Sequence, residues 1–215
     1  ISNEQIVGIE DDMGTSTPGM RLTVLRWNGS AWINDWQTSS TASSTVGRYR
    51  RFGVSYYGNS GNAVVVYATS TSPSIAYKIW NGTSWSATST FSMAAPTSGN
   101  KGTPQWIELA GHPTATTSNR LVIGYTTSER RIGYDIWNGA SWSVASSTQL
   151  LTMMARWRPF DVAIENTSGD AFLVYGQEAR QGIQSVSCLS GCSSWTANAA
   201  GGTGISADAE FVDAA

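Results

Sequence analysis

Charge is scarce in this chain of 215 residues: thirteen Lys and Arg, fifteen Asp and Glu and a single His leave a formal net charge of -2. Binding a phosphate backbone needs a concentrated basic face, and here basic residues are scattered apart from "RYRR" and "RWR". No nucleic-acid surface is expected, because aromatic platforms for single strands work alongside Lys and Arg and the ten Trp lack that company. Long apolar runs are missing too, and none approaches the roughly 18 residues that cross a bilayer as a helix. Membrane insertion is therefore not expected. With only two Cys there is no disulfide scaffold, and the length suffices for a continuous core without one. Ser, Thr, Gly and Asn fill the space in tracts such as "TSSTASSTV" and "TSTSPS", a polar, uncharged profile that suits an all-β protein with many turns.

What the chain does have is a repeat. Trp32, Trp85, Trp142 and Trp195 lie 53, 57 and 53 residues apart, closing the phrases "RWNGSAW", "IWNGTSW", "IWNGASW" and, degenerately, "CLSGCSSW". A period near fifty with several short strands each indicates propeller blades. The second period reads as strands "RFGVSYY", "AVVVYAT", "IAYKIW" and "WSATSTF"; the third as "PQWIELA", "RLVIGYT", "RIGYDIW" and "SWSVASS"; the fourth as "PFDVAIE", "AFLVYGQ", "GIQSVSC" and "SWTANAA". Asn-Gly favours the positive φ angles of a tight hairpin turn, so Asn28-Gly29, Asn81-Gly82 and Asn138-Gly139 are expected to reverse the chain between strands three and four. The flanking Trp pairs then meet across the hairpin mouth and seal the blade edge.

The first period lacks its first strand, and the last residues, "AEFVDAA", match that missing strand. The expected fold is one all-β domain, a β-propeller of about four four-stranded antiparallel blades over residues 1–215. Its units are 1–40 plus 205–215, 41–95, 96–150 and 151–204, closed by pairing of the C-terminal strand with the N-terminal unit. Two alternatives stay open: the same strand completes a neighbouring copy, giving a head-to-tail ring or filament, or the chain is part of a larger propeller.

The phrases "WNGTSW" and "WNGASW" resemble the W-D-G-x-G-W hairpin of fucose-binding propeller lectins and, more loosely, the Asp-box turn of sialidase-like propellers. The lectin resemblance implies an Arg on the second strand and a Glu on the third strand of a binding blade. Those places hold Val65 and Tyr77 in the second unit and Ile123 and Tyr134 in the third, so the pair is missing there. The sialidase resemblance implies an arginine triad with Tyr, Glu and Asp carried on six blades, which four do not readily supply.

Among chemistry-bearing residues, His112 reads as a solvated loop histidine with no nucleophile beside it. Cys188 and Cys192 replace an Asn-Gly turn and read as a disulfide across the hairpin, worth roughly 2 kcal/mol on the chain-entropy model, rather than half a zinc site. "EDD" at 10–12 and "NTSGD" at 166–170 are oxygen-rich, but neither carries a full calcium pattern. Arg50 and Arg158 precede first strands and could crowd a channel mouth to attract an anion, or pair with Asp208 and Glu210. Trp27, Trp80 and Trp137 could stack on sugar rings or pack between strands. The sequons at Asn28, Asn81 and Asn166 mark exposed turns. The expected function is a non-catalytic, extracellular or cell-surface recognition or adhesion module whose partners are glycans or other copies of itself. No cofactor or metal is expected. A filament subunit built by strand complementation ranks second and a glycan hydrolase third.

Overall fold

The computed structural model describes residues 4–12, 20–40, 49–58, 61–69, 73–94, 101–112, 119–143, 146–149, 159–177, 182–189 and 193–198. Among these residues the protein is all-β, in four antiparallel sheets. The first comprises β1 (Gln5–Asp12), β2 (Met20–Trp27) and β3 (Trp32–Ser40). The second comprises β4 (Phe52–Tyr57), β5 (Asn62–Ala68), β6 (Ser74–Trp80) and β7 (Ser89–Ser92). The third is β8 (Pro104–Gly111), β9 (Leu121–Thr127), β10 (Arg131–Trp137) and β11 (Ser146–Gln149); the fourth is β12 (Phe160–Ile164), β13 (Ala171–Gln177), β14 (Gly182–Cys188) and β15 (Thr196–Ala197). In the last three sheets the strands pair in sequence order, the meander expected of a blade. No helix of the described residues is long and apolar enough to cross a membrane.

The second strands are the most apolar because both their faces are covered. In β5 every residue from Ala63 to Ala68 is buried, odd-numbered residues facing the first sheet and even-numbered ones the third. One core cluster joins Ile6, Leu22 and Val24 to Ala63, Val65 and Trp80. A second joins Val64, Val66 and Ile75 to Ile107, Ile123 and Trp137, and a third joins Val122 and Ile136 to Phe160, Leu173 and Val186. Consecutive sheets therefore stack face to face. Close approach is tuned by size: a Cβ on Gly8 would meet the Phe52 ring at 2.8 Å or less, and one on Gly124 would meet Phe160 at 2.8 Å. At these two interfaces a large first-strand side chain lies over a glycine of the preceding sheet.

The hairpin turns form by a different device from the expected one. Gly29, Gly82 and Gly139 have φ of 100°, 89° and 98°, but no Asn among the described residues has positive φ. The Asn acts through its side chain instead: Asn81 Oδ1 accepts from the backbone N–H of Thr83 (2.9 Å) and Ser84 (2.8 Å) and from the Thr83 hydroxyl (2.8 Å). Asn28 and Asn138 accept from the N–H groups two and three residues on in the same way. The result is a four-residue Asx loop, closed by an N–H bond such as Asn81 to Ser84 O at 3.2 Å. Gly29 has open space around it, so its φ and not crowding excludes a side chain there.

Other expectations need correction. The fourth strands are short and late; after Trp85 and Trp142 form isolated bridges, pairing resumes at Ser89 and Ser146. Glu10–Asp12 continue β1 rather than forming a loop. His112 is buried just after β8, its N–H bonded to Arg120 O at 3.1 Å, and is not solvated. The first sheet has three strands, as read, but residues 205–215, on which closure depends, lie outside the described residues. No core cluster of the described residues joins the fourth sheet to the first.

Candidate functional site

The Trp pairs do meet across the hairpin mouths. Ring centroids lie 5.7 Å apart for Trp27–Trp32, 5.5 Å for Trp80–Trp85 and 5.5 Å for Trp137–Trp142. Their fates differ with position. Trp80 and Trp137 are only 3% and 2% exposed because each packs against the preceding sheet, which leaves neither ring a face for a sugar. Trp27, with no such sheet among the described residues, is half-buried, and Trp32 is 46% exposed.

Charge gathers between the first and second sheets. Arg26, next to last in β2, lies on the same face as Leu22 and Val24, where the next two phrases carry Ile79 and Ile136. The register between β2 and β3 shifts at this point: Val24 pairs with Trp36 and Leu25 with Asn34, so Asp35 is an extra residue. Such a bulge re-aims side chains, and here it brings two consecutive residues, Asp35 and Trp36, to the second sheet. Arg26 donates to Asp35 through Nε (2.8 Å) and Nη2 (3.2 Å), a fork geometry, with Glu4 3.8 Å from Nη1. The indole N–H groups complete the network, Trp85 donating to Asp35 at 2.7 Å and Trp80 to Glu4 at 2.7 Å. The guanidinium sits 4.5 Å from the Trp80 ring centroid, Lys78 lies 4.9 Å from that of Trp36, and Trp36 meets Trp85 edge-on at 5.7 Å. Burial, reinforced by the Glu4 carboxylate, pushes the Tyr56 hydroxyl up to about 12.

Sequence reading missed this cluster because it looked for an Arg–Glu pair only in the second and third units. The legible signal was Arg26 itself, the charged variant at a position that is Ile in two sister phrases.

The remaining candidates disperse. Arg50 donates to Glu108 and to Ile107 O on β8, while Asp208 and Glu210, its expected partners, lie outside the described residues, as does Arg158. Cys188 is buried, with Arg120 Nη2 3.7 Å from its Sγ, while Cys192 lies outside the described residues. In the turn after β12 the Glu165 carboxylate accepts from the Thr167 and Ser168 N–H groups, holding it down at about 2, so it already caps the turn that was a calcium candidate. No group of three or more potential metal ligands occurs among the described residues.

No protein-family model matches the chain, and a search of curated protein sequences finds no match. Solved structures do. SapL1 lectin in complex with alpha methyl fucoside is 14% identical, with a TM-score of 0.54, over 91% of this chain and 60% of that one. The lectin of Aleuria aurantia, described as a six-bladed β-propeller, is 18% identical with a TM-score of 0.47 over 92% and 61%. A NanB sialidase mutant from Streptococcus pneumoniae is 16% identical with a TM-score of 0.46, over 80% of this chain and 27% of that one. This chain therefore spans about three-fifths of the length of the lectins it matches. At these identities the likeness to SapL1 lectin concerns the fold, and it agrees with the stacked antiparallel sheets: the chain is built from propeller blades similar to those of a lectin.

Proposed function

We propose that the chain is a non-catalytic propeller module, extracellular or displayed at a cell surface, that recognises carbohydrate in the cleft between its first and second sheets. The observation that carries this reading is the Arg26–Asp35–Glu4 network. A partly buried ion pair contributes little net stability, and apolar residues of similar size usually serve as well. The same position in the next two units is Ile, so the scaffold stacks without charge there. Retaining two carboxylates, a guanidinium and a bulge in one cleft supports a recognition role. Fixed carboxylates accept bonds from sugar hydroxyls, the guanidinium donates to ring and hydroxyl oxygens, and the half-buried indoles of Trp36 and Trp85 pack on the apolar face of the ring.

A fucoside is the first ligand to try, since the fold neighbour SapL1 lectin is seen with alpha methyl fucoside. A Cys188–Cys192 disulfide across the hairpin belongs to the same reading, since such bonds persist outside the reducing cytosol. A glycan array and a titration with alpha methyl fucoside test the proposal. Binding that Asp35→Ala removes supports it. A wild-type array blank for every glycan contradicts it, and turnover of fluorogenic glycosides contradicts the non-catalytic part.

A further inference from the structure

The four sheets can be aligned position by position from their pairings: Gln5 opposite Trp27, Ala63 opposite Trp80, Leu121 opposite Trp137 and Ala171 opposite Cys188 occupy one register site. Two residues further along each second strand stand Val7, Val65, Ile123 and Leu173, and two further again Ile9, Tyr67, Tyr125 and Tyr175. In the last three sheets all six of these side chains are buried against the preceding sheet. In the first sheet Val7 is 39% and Ile9 47% exposed. Half-buried Leu25 and Trp27 share their face, opposite Val7 and Gln5. This face has the composition and register of an internal docking face, and nothing among the described residues covers it.

The far end of the stack carries the matching half. Ile6 and Leu22 cover the second sheet, Val64 and Ile75 the third, and Val122 and Ile132 the fourth. By the same register their counterparts on the fourth sheet are Phe172 and Ile183, with Val174 between them at the Gly8 site. All three point away from the third sheet and are only partly buried. One chain thus carries both halves of the interface it repeats three times internally.

We propose that the uncovered face of the first sheet docks the fourth sheet of a second copy of this chain, head to tail. The contact is sheet face on sheet face, with Phe172, Val174 and Ile183 of one copy against Val7, Ile9, Leu25 and Trp27 of the next. It differs from the exchange of an edge strand. It is heterologous, so copies join into a ring or an open array according to the rotation between them. The inference does not rest on the glycan reading, because these residues lie on the side of the first sheet away from Arg26 and Asp35.

Sedimentation velocity across a wide range of protein concentration tests it. The wild-type mass is expected to rise above the 22.9 kDa of one chain. Ile9→Lys and Phe172→Asp, each checked by near-ultraviolet circular dichroism for native packing, are each expected to remain at one chain's mass. An equimolar mixture of the two retains one intact pair of faces and is expected to stop at the dimer. A wild-type protein that stays at one chain's mass at every concentration overturns the proposal, as does assembly that Ile9→Lys leaves unchanged. Since the wild-type result alone can overturn it, a variant that fails to fold does not protect it. Alpha methyl fucoside binding by monomeric Ile9→Lys separates this outcome from the fate of the glycan site.

Discussion

The interface between the first and second sheets and the one between the second and third are built on the same hairpin. Trp80 with Trp85 and Trp137 with Trp142 occupy equivalent sites with the same 5.5 Å separation. Around the second pair the neighbours are Tyr77 and Phe91, with Phe91 stacked on Trp142 at 4.8 Å. Around the first they are Arg26, Asp35 and Glu4, and the two carboxylates accept both indole N–H groups. Trp142 Nε1, the counterpart of Trp85 Nε1, has no acceptor among the described residues. The contrast separates two jobs. At the Trp137–Trp142 hairpin apolar area and indole packing suffice, the Arg50–Glu108 pair of the same two sheets lying instead beside their first strands, so an ion-pair network added at the hairpin is better read as a device for recognition than for cohesion.

The largest expected effect lies on the apolar side. Trp137→Ala removes a fully enclosed indole and should cost about 3–5 kcal/mol of unfolding free energy, read from denaturant midpoints. Trp27→Ala, at the same register site with no preceding sheet among the described residues, should cost less than half as much. Equal losses would erase the distinction between covered and uncovered faces. On the polar side, Asp35→Ala leaves the guanidinium and the Trp85 N–H without their main acceptor. Partial solvent access to Arg26 holds the expected cost to about 2–3 kcal/mol, below that of a fully buried pair. A loss under about 0.5 kcal/mol would mean that Asp35 is an ordinary surface acid.

Much of this organisation could be read from residues alone. The third strands end at the Trp of each W-N-G phrase, and the second strands fall within a residue of their expected places, because apolar runs bounded by Gly, Ser and Asn leave little choice of register. The fourth strands were harder. Once the second Trp is placed, residues such as Ser86–Thr88 are small and exposed, and no buried face holds them in a ladder. The candidate cleft was legible only in part. Arg26 stands out as a break in the repeat, but its meeting with Asp35 depends on a bulge, and its meeting with Trp80 on sheet stacking. Arg50 finding Glu108, 58 residues away, is likewise a product of neighbouring first strands. His112 shows the reverse error, since its setting in "AGHPTATTSN" suggests solvent and the fold buries it.

The smallest effect is a pH dependence at the first interface. Burial raises the Glu10 carboxyl above its ordinary value despite the bond it accepts from Arg51 N–H at 3.1 Å. A carboxyl whose folded value is raised contributes stability below its unfolded value and loses it as pH climbs through the folded one. Glu10→Gln should therefore gain on the wild type in thermal unfolding as pH rises from about 4 to 7, and parallel profiles would contradict the assignment.

The most direct measurement neutralises the first interface while keeping its shape and its indole acceptors, with Arg26→Ile, Asp35→Asn and Glu4→Gln in one chain. Stability by denaturant unfolding and alpha methyl fucoside or array-selected glycan binding by calorimetry are read on the same sample. The account predicts stability within about 1 kcal/mol of wild type and affinity lowered at least tenfold. Unchanged affinity, or a collapse in stability with binding intact in the surviving folded fraction, would show that the charges serve cohesion and that recognition lies elsewhere.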